Sequence, residues 1–475
     1  MKLSRLIAVD RDVEITGIAV DSRKVQKGNL FICLSGDRFD GHDFAAEALK
    51  RGAAVIVTEK PLGIDGEICL PDTRRACASL YATWYGNPQK DLKIYGVTGT
   101  NGKTSVVSLL NQIYRKAGVK TATSGTLGSF WDGVAYSSEN TTALPETLYR
   151  QMREMVNSGV RCLFMEVSSH ALALERVSEI EFAYAVYTNL TPEHLDFHKT
   201  MEQYAAAKEK LFEQARVGIF NYDDKYSYIA SQRCPCRSYG YGRENHPDFA
   251  PDEVLKEALD GMVFTMRYRG EKHLFSSPLA GGYNLYNLLA AISTAMVDGI
   301  DASIVASALA SFEGVRGRLE RIYSGDFTVL IDYAHTPDAL MRVLEVLRSG
   351  NPKRLRVLFG CGGDRDRTKR AVMGEIAKTL ADDVIVTSDN ARSEDPHAII
   401  EEILSGMKTN KTDNAYKVIE NRRMALEYAI DTSLPGDVLL VAGKGHEEYE
   451  IDCYGKHPFS ETKILLARLR ERGYL

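Results

Sequence analysis

Three groups of residues in this sequence have types and spacings that can do chemistry. The first is Gly96-Val97-Thr98-Gly99-Thr100-Asn101-Gly102-Lys103-Thr104-Ser105. Its glycines let the backbone fold tightly enough for N–H groups to face phosphate oxygens. Lys103 supplies charge to the β- and γ-phosphates, and the Thr104 hydroxyl can ligate Mg²⁺. The helix-like stretch from Ser105 to Lys116 adds the positive end of its dipole. The strict pattern G-x-x-x-x-G-K-[ST] is not met, because its first glycine falls at Val97 and Gly96 lies one residue earlier. Strand, loop, Lys-Thr and helix nevertheless occur in the required order, which favours nucleotide binding over a glycine-rich turn with a surface lysine. The loop by itself does not specify ligation.

The second group comprises polar residues at the ends of apolar runs. Glu166 ends Cys162-Leu163-Phe164-Met165 and fits a Mg²⁺ site, since magnesium takes few protein oxygens beside phosphate and water. The plainer reading is a strand-end carboxylate paired with an arginine. Asp332 follows another apolar run and suits ribose hydroxyls. Asn284 and Asn287 suit the adenine side, with a helix cap and a core-edge amide as alternatives. His335 and Arg318 are further ATP-side candidates; Arg318 lies between two blocks of the chain and is expected to reach the phosphates only when domains close. The third group is Asp389-Asn390-Ala391-Arg392, where an arginine fork can grip a carboxylate bidentately. A surface ion pair of Arg392 with Glu394 or Asp395 is the alternative.

The elements that must position these groups form an α/β pattern. Strands are expected at Leu30–Leu34, Ala54–Val57, Leu92–Val97, Cys162–Val167, Ala183–Tyr187, Phe327–Ile331, Leu355–Phe359, Val384–Thr387 and Val438–Val441. Strands spaced by helical patterns predict a parallel, doubly wound sheet, with ligands at the strands' ends. At 475 residues the chain exceeds one ordinary core. It divides into three expected domains, 1–88, 89–315 and 316–475, with turn residues in Tyr85–Lys90 marking the first boundary. The formal charge of 59 − 64 = −5 favours neither nucleic acid nor an anionic membrane. No signal-peptide core or spanning run is seen, and the eight cysteines are scattered. A cytoplasmic, monomeric protein is expected.

The chain resembles the Mur ligase family over essentially its whole length. The resemblance rests on Gly99–Thr104, Glu166-Val167-Ser168-Ser169-His170, Asn189–Asp196, Ala206-Ala207-Lys208, Tyr283–Asn287, Asp332–Pro337 and Gly443-Lys444-Gly445-His446-Glu447, in family order. It implies an N-terminal domain for a UDP moiety, a central P-loop ATPase domain with a mainly parallel sheet, and a C-terminal Rossmann-like α/β domain for the incoming amino acid. It also implies a reaction: ATP phosphorylates the γ-carboxylate of D-Glu in UDP-MurNAc-L-Ala-D-Glu, and the acyl phosphate is attacked by a diamino acid's amine.

The resemblance further implies that Lys208 is carbamylated and, with Thr104 and Glu166, holds Mg²⁺. Lys103, Lys208 and His194 become the catalytic candidates, with His198 as an alternative to His194. Ser22, within Asp21-Ser22-Arg23, and the stretch Gly36-Asp37-Arg38-Phe39-Asp40-Gly41-His42 resemble the uridine-nucleotide site. Thr141, Thr142, Ser168 and Arg176 match muramoyl-dipeptide positions, while Leu174 stands where relatives often carry glutamine. Arg365, Asp389, Asn390, Arg392, Gly443 and Glu447 match the acceptor site. Arg392 favours meso-diaminopimelate over lysine, and Ala391 replaces the proline usual in relatives that add it. Lysine, lanthionine, a folylpolyglutamate-type ligation and a P-loop regulatory switch are the alternatives.

Overall fold

The computed structural model describes residues 1–9, 12–36, 39–408 and 415–475. Asp37 and Arg38 of the uridine-site stretch lie outside the described residues. The fold is α/β, with three bodies each built on a mainly parallel sheet.

The first body holds four parallel strands in the order Gly17–Ala19, Asn29–Ile32, Val55–Thr58, Glu67–Cys69. The two middle strands are buried throughout, which is why they read as continuous apolar runs rather than alternating ones. The helix Thr73–Trp84 closes one face; Asp72 caps it by accepting from the Arg75 N–H.

An eight-stranded sheet forms the second body. Six strands are parallel, in the order Arg237–Tyr241, Ala215–Asn221, Phe182–Tyr187, Lys93–Thr98, Cys162–Glu166, Thr121–Gly125. Gly128–Trp131 and Val134–Tyr136 extend it as antiparallel hairpins. The order doubles back around Lys93–Thr98, so the loop that follows this strand opens at a switch point between neighbours. A three-stranded antiparallel sheet, Pro251–Ala258, Gly261–Tyr268 and Glu271–Ser277, packs on the far side through Met262, Phe264 and Met266.

The third body has a six-stranded sheet in the order Glu320–Ser324, Thr328–Asp332, Asp437–Ala442, Arg354–Phe359, Asp383–Val386, Ala415–Val418. Only its first strand is antiparallel. Asp332, Asp389 and Gly443 all stand at or just beyond the C-terminal ends of its strands. The bodies meet closely. Leu30, Val55 and Tyr81 of the first share a buried cluster with Tyr149 and Met152 of the second.

Candidate active site

The loop after Lys93–Thr98 is shaped by two glycines that no other residue can replace without strain. Gly99 has φ +142°, and a Cβ there would stand 1.9 Å from Thr188 Oγ1. Gly102, at φ +87°, would put a Cβ 2.3 Å from Asn287 Oδ1. The segment after Phe182–Tyr187 clamps the loop. The Asn101 N–H donates to Asn189 Oδ1 at 3.0 Å, and Asn189 Nδ2 donates to the Asn101 carbonyl at 3.1 Å. Thr188 Oγ1 donates to the same carbonyl at 2.6 Å. Thr100 accepts or donates at Tyr204 Oη, 3.2 Å away. Gly102 then opens the helix Lys103–Lys116.

Two lysines converge on one carbonyl. Lys103 Nζ donates to the carbonyls of Gly99 and Thr100, both at 2.8 Å, and Lys208 Nζ donates to Gly99 at 2.9 Å. Lys208 projects from the helix Met201–Glu213 and is 1% exposed. Burial, reinforced by the Lys103 charge, drives its amine pKa well below the ordinary lysine value. Burial lowers Lys103 as well, against the pull of Glu193 and Glu166. Opposite them the Thr104 hydroxyl donates to Glu166 Oε1 at 3.0 Å, and the Thr126 N–H and hydroxyl hold the same carboxylate at 2.9 and 3.1 Å. Gly125 makes room, since a Cβ there would fall 2.2 Å from Glu166 Oε1. Thr104 and Glu166 thus offer adjacent hard oxygens, the donor type magnesium takes. Among the described residues there is no group of three or more His, Cys, Asp or Glu able to hold a metal, so any ion here would complete its shell with other oxygens.

Glu193 was not singled out in the sequence, although it lies inside the Asn189–Asp196 motif. Its carboxylate stands 3.7 Å from His194 Nε2 and 3.5 Å from His335 Nε2. Burial opposes its charge, but His335, His194 and Lys103 together hold it below the usual carboxylate range. His194 sits at φ +54°, a left-handed backbone uncommon outside glycine, and its ring meets His170 edge-on at 4.8 Å. His198 is buried and bonded to Ser169 Oγ at 2.8 Å.

A cleft of about 1230 Å³, counting space open to solvent, runs from the loop between the second and third bodies. Asn284, Asn287, Tyr283, Asp332 and Arg342 line it. Asn287 Nδ2 donates to Asn284 Oδ1, and Asn284 Nδ2 to the Ala280 carbonyl, so this pair also supports the underside of the loop. Arg318, expected to need further closure, already donates to Thr104 Oγ1 at 3.4 Å, its guanidinium lying over the Tyr333 ring at 4.8 Å. Asp332 accepts from the N–H groups of Leu319 and Ala334 at 2.7 and 2.8 Å, which fixes the Arg318 turn. His335 faces Glu193 rather than the cleft wall.

On the other side of Glu166, the Thr142 hydroxyl donates to the Glu166 carbonyl at 2.9 Å. It also lies 3.3 Å from Ser168 Oγ, and Arg176 Nη1 donates to the Thr142 carbonyl at 3.0 Å. Thr141 Oγ1 lies 3.2 Å from Thr126 Oγ1. Leu174 terminates the short helix Ser169–Ala173 and brings no side-chain hydrogen bond to this group. Ser22, in the first body, is buried and donates to Glu47 at 3.4 Å. His42 bridges Asp40 and the Glu59 N–H, tying the described part of that stretch to the body.

The third body supplies a polar pocket at its strand ends. Asp389 pairs with the fully buried Lys444 at 3.1 Å. Burial works against the Asp389 charge, yet Lys444 and Arg422 hold its pKa down at about 2. Gly443 permits this approach, since its Cβ would lie 2.9 Å from Asp389 Oδ2. Asn390 accepts from Lys444 Nζ at 2.7 Å and donates to Glu447 at 2.8 Å. Burial and the Asp389 charge raise the Glu447 pKa. Lys444 is a further residue the sequence did not single out; its place inside the Gly443–Glu447 motif was the available signal.

Arg392, at φ +55°, donates to the Gly363 carbonyl at 2.7 Å. Burial and then the neighbouring Arg365 lower its pKa. Among the described residues Arg392 makes no ion pair. Glu394 is taken by Arg370 at 2.8 Å, and Asp395 caps the next helix. Arg392 thus feels the Arg365 charge as well as the carboxylates of Asp389, Glu447 and Asp364, and neither arginine forms an ion pair among the described residues.

The Mur ligase middle domain model matches residues 97–295, the Mur ligase glutamate ligase domain model residues 317–445, and the Mur ligase family catalytic domain model residues 14–83. The UDP-N-acetylmuramoyl-L-alanyl-D-glutamate–2,6-diaminopimelate ligase of Syntrophomonas wolfei is 46% identical over 97% of this chain and 95% of its own. The enzyme of the same name from Geobacillus kaustophilus is 40% identical over 97% and 96%. A solved structure of a ligase with that name superposes with a TM-score of 0.71 at 30% identity, covering both chains completely. This chain is a member of the Mur ligase family.

Proposed function

We propose that the protein joins meso-diaminopimelate to the D-Glu γ-carboxylate of UDP-MurNAc-L-Ala-D-Glu, consuming ATP, as a step in peptidoglycan precursor synthesis. The relatives named above support the reaction class. The observation that carries the choice of acceptor is the unpaired Arg392 beside Arg365. A fork of this kind suits the distal carboxylate of diaminopimelate, which lysine lacks. Glu447 and Asn390 would meet the ammonium and carboxylate at the same end, with Asp389 and Gly443 holding Asn390 in place.

Lys103 exchanges its loop carbonyls for triphosphate oxygens, and Arg318 approaches from the third body. The γ-carboxylate oxygen attacks the γ-phosphorus, the bond to the bridging oxygen breaks, and ADP leaves with that electron pair. The diamino acid's amine then attacks the acyl carbon, gives up its proton, and expels phosphate. Thr104, Glu166 and a carbamylated Lys208 would hold Mg²⁺, which when bound screens the repulsion between carboxylate and triphosphate. A neutral Lys208 amine adds CO₂ and releases a proton to become the carbamate; its burial beside Lys103 favours the neutral amine. Glu193 orients His194. Ser22, Thr141, Thr142, Ser168 and Arg176 would bind the nucleotide-linked dipeptide, and Asn284, Asn287, Asp332 and His335 would serve the ATP side.

We assign the domains to 1–88, 89–315 and 316–475, and infer a cytoplasmic monomer. All eight cysteines are free, and among the described residues no helix is long and apolar enough to cross a membrane. The test is an amine panel with ATP, Mg²⁺ and UDP-muramoyl dipeptide. Phosphate release that requires the dipeptide and is highest with meso-diaminopimelate supports the assignment. Equal turnover of lysine would remove the role given to Arg392, and release indifferent to the dipeptide would remove the ligase reading.

A further inference from the structure

A further cation is Arg74. It is the second residue of the helix Thr73–Trp84 in the first body and is half-buried. This helix packs against Pro145–Asn157 of the second body. Arg153, near the end of the second helix, donates to the carbonyl of Tyr85, just past the end of the first, at 2.8 Å. The beginning of the first helix, with Arg74, therefore lies beside the segment that leads into the second, with Thr142. Arg176 is anchored on that segment through the Thr142 carbonyl.

Arg74 in turn donates through Nη2 to the Ser35 carbonyl, at the root of the stretch that resembles a uridine-nucleotide site. Burial, and then the Arg74 charge, lower the Arg176 pKa. Neither forms an ion pair among the described residues. Two half-buried guanidinium groups, one from each body, thus lie where the nucleotide side meets the reaction side, and neither is paired with a carboxylate. Like charges held this close are costly unless something negative joins them.

We propose that Arg74 is a substrate-positioning residue that, with Arg176, grips the diphosphate of the UDP-linked substrate across the seam between the first and second bodies. The assignment rests on the functional reading above for the identity of the substrate. A diphosphate is the group that joins the uridine end to the muramoyl end, and its geometry matches paired arginine forks. The D-Glu carboxylate, which the proposed reaction brings to Lys208, is the other anion able to use the pair.

The experiment compares full-length wild type, Arg74→Gln and Arg74→Lys by calorimetric titration with UDP and, separately, with uridine. Glutamine keeps a donor for the Ser35 carbonyl but loses the charge. UDP binding should weaken about tenfold or more in Arg74→Gln, the scale of one charge-assisted hydrogen bond, and should be partly restored in Arg74→Lys. Uridine binding should not change, whereas a merely structural effect on the Ser35 stretch would weaken both ligands alike. Turnover assays should show KM for UDP-muramoyl dipeptide raised in parallel, with kcat and the KM for ATP little changed. Unchanged UDP affinity overturns the proposal, and a raised dipeptide KM with unchanged UDP affinity hands the pair to the carboxylate instead. Because UDP titration needs no turnover, it tests Arg74 even if the wild-type protein proves to ligate something else.

Discussion

The phosphate end and the acceptor end of this molecule are built on opposite principles. At the phosphate end nearly every charged or polar group has an internal partner: two lysines share the Gly99 carbonyl, and Thr104 is bonded to Glu166. The parts are buried and mutually constrained, so substrate binding exchanges one set of partners for another. At the acceptor end the support is internal, through Lys444, Asp389 and Asn390, but the gripping residues are left open. Arg365 is exposed and Arg392 has only carbonyl partners. The difference teaches where chemistry and selectivity reside. Alterations at the first end should damage turnover itself, and alterations at the second should change which amine is chosen.

The sharpest way to break that contrast is Lys208→Ala. Ligation should fall by about a thousandfold or more, the scale of losing a preorganised charge at a reaction centre. A short-chain carboxylic acid should restore part of it, and ¹³C-bicarbonate should label wild type but not the variant. Wild-type turnover in the variant would remove the carbamate. Next comes Gly102→Ala, which combines φ +87° with the Asn287 contact. It should raise the KM for ATP by about tenfold or more while leaving selectivity among amines intact, since strain at such a site costs on the order of 1–3 kcal/mol.

Arg392→Ala should do the reverse. The KM for meso-diaminopimelate should rise about ten- to a hundredfold, the range for a hydrogen bond between charged groups, with the KM for ATP unchanged. An equal effect on both substrates would dissolve the distinction between the ends.

The smallest expected effect concerns His446, at the joint between them. Burial, then Arg318 and Arg316, lower its pKa to about 4 from an ordinary 6.5. The unfolded chain therefore binds the proton more readily than the folded one. Stability should be complete above about pH 6.5 and should decline as pH falls towards 4. Asp389, held at about 2, loses its contribution only below the usual carboxylate range, so the two windows separate. Thermal midpoints against pH should show a shallower decline between 6.5 and 4 for His446→Gln than for wild type.

Much of the frame was legible because buried parallel strands announce themselves as apolar runs. Lys93–Thr98, Cys162–Glu166 and Asp437–Ala442 each appear within a residue or two of where the sequence suggests. The sheet Pro251–Ser277 was not read, although Met262, Phe264 and Met266 alternate as a half-buried strand should. Its first strand is largely exposed and gives no such signal.

Site residues were legible where a motif carries its own geometry, as in the phosphate loop. Glu193 and Lys444 were not, because only the tertiary fold brings His335 to one and Asp389 to the other. The left-handed backbones of His194 and Arg392 leave no mark on the sequence at all, since neither residue type favours that conformation as glycine does.

The most direct measurement follows oxygen. UDP-MurNAc-L-Ala-D-Glu carrying ¹⁸O in the D-Glu γ-carboxylate is incubated with the protein, ATP, Mg²⁺ and meso-diaminopimelate, and the released phosphate is analysed by mass. Attack of that carboxylate on the γ-phosphorus, then of the amine on the acyl carbon, carries one labelled oxygen into phosphate. Phosphate without label, accompanied by product, would contradict an acyl phosphate formed beside the Lys103 loop.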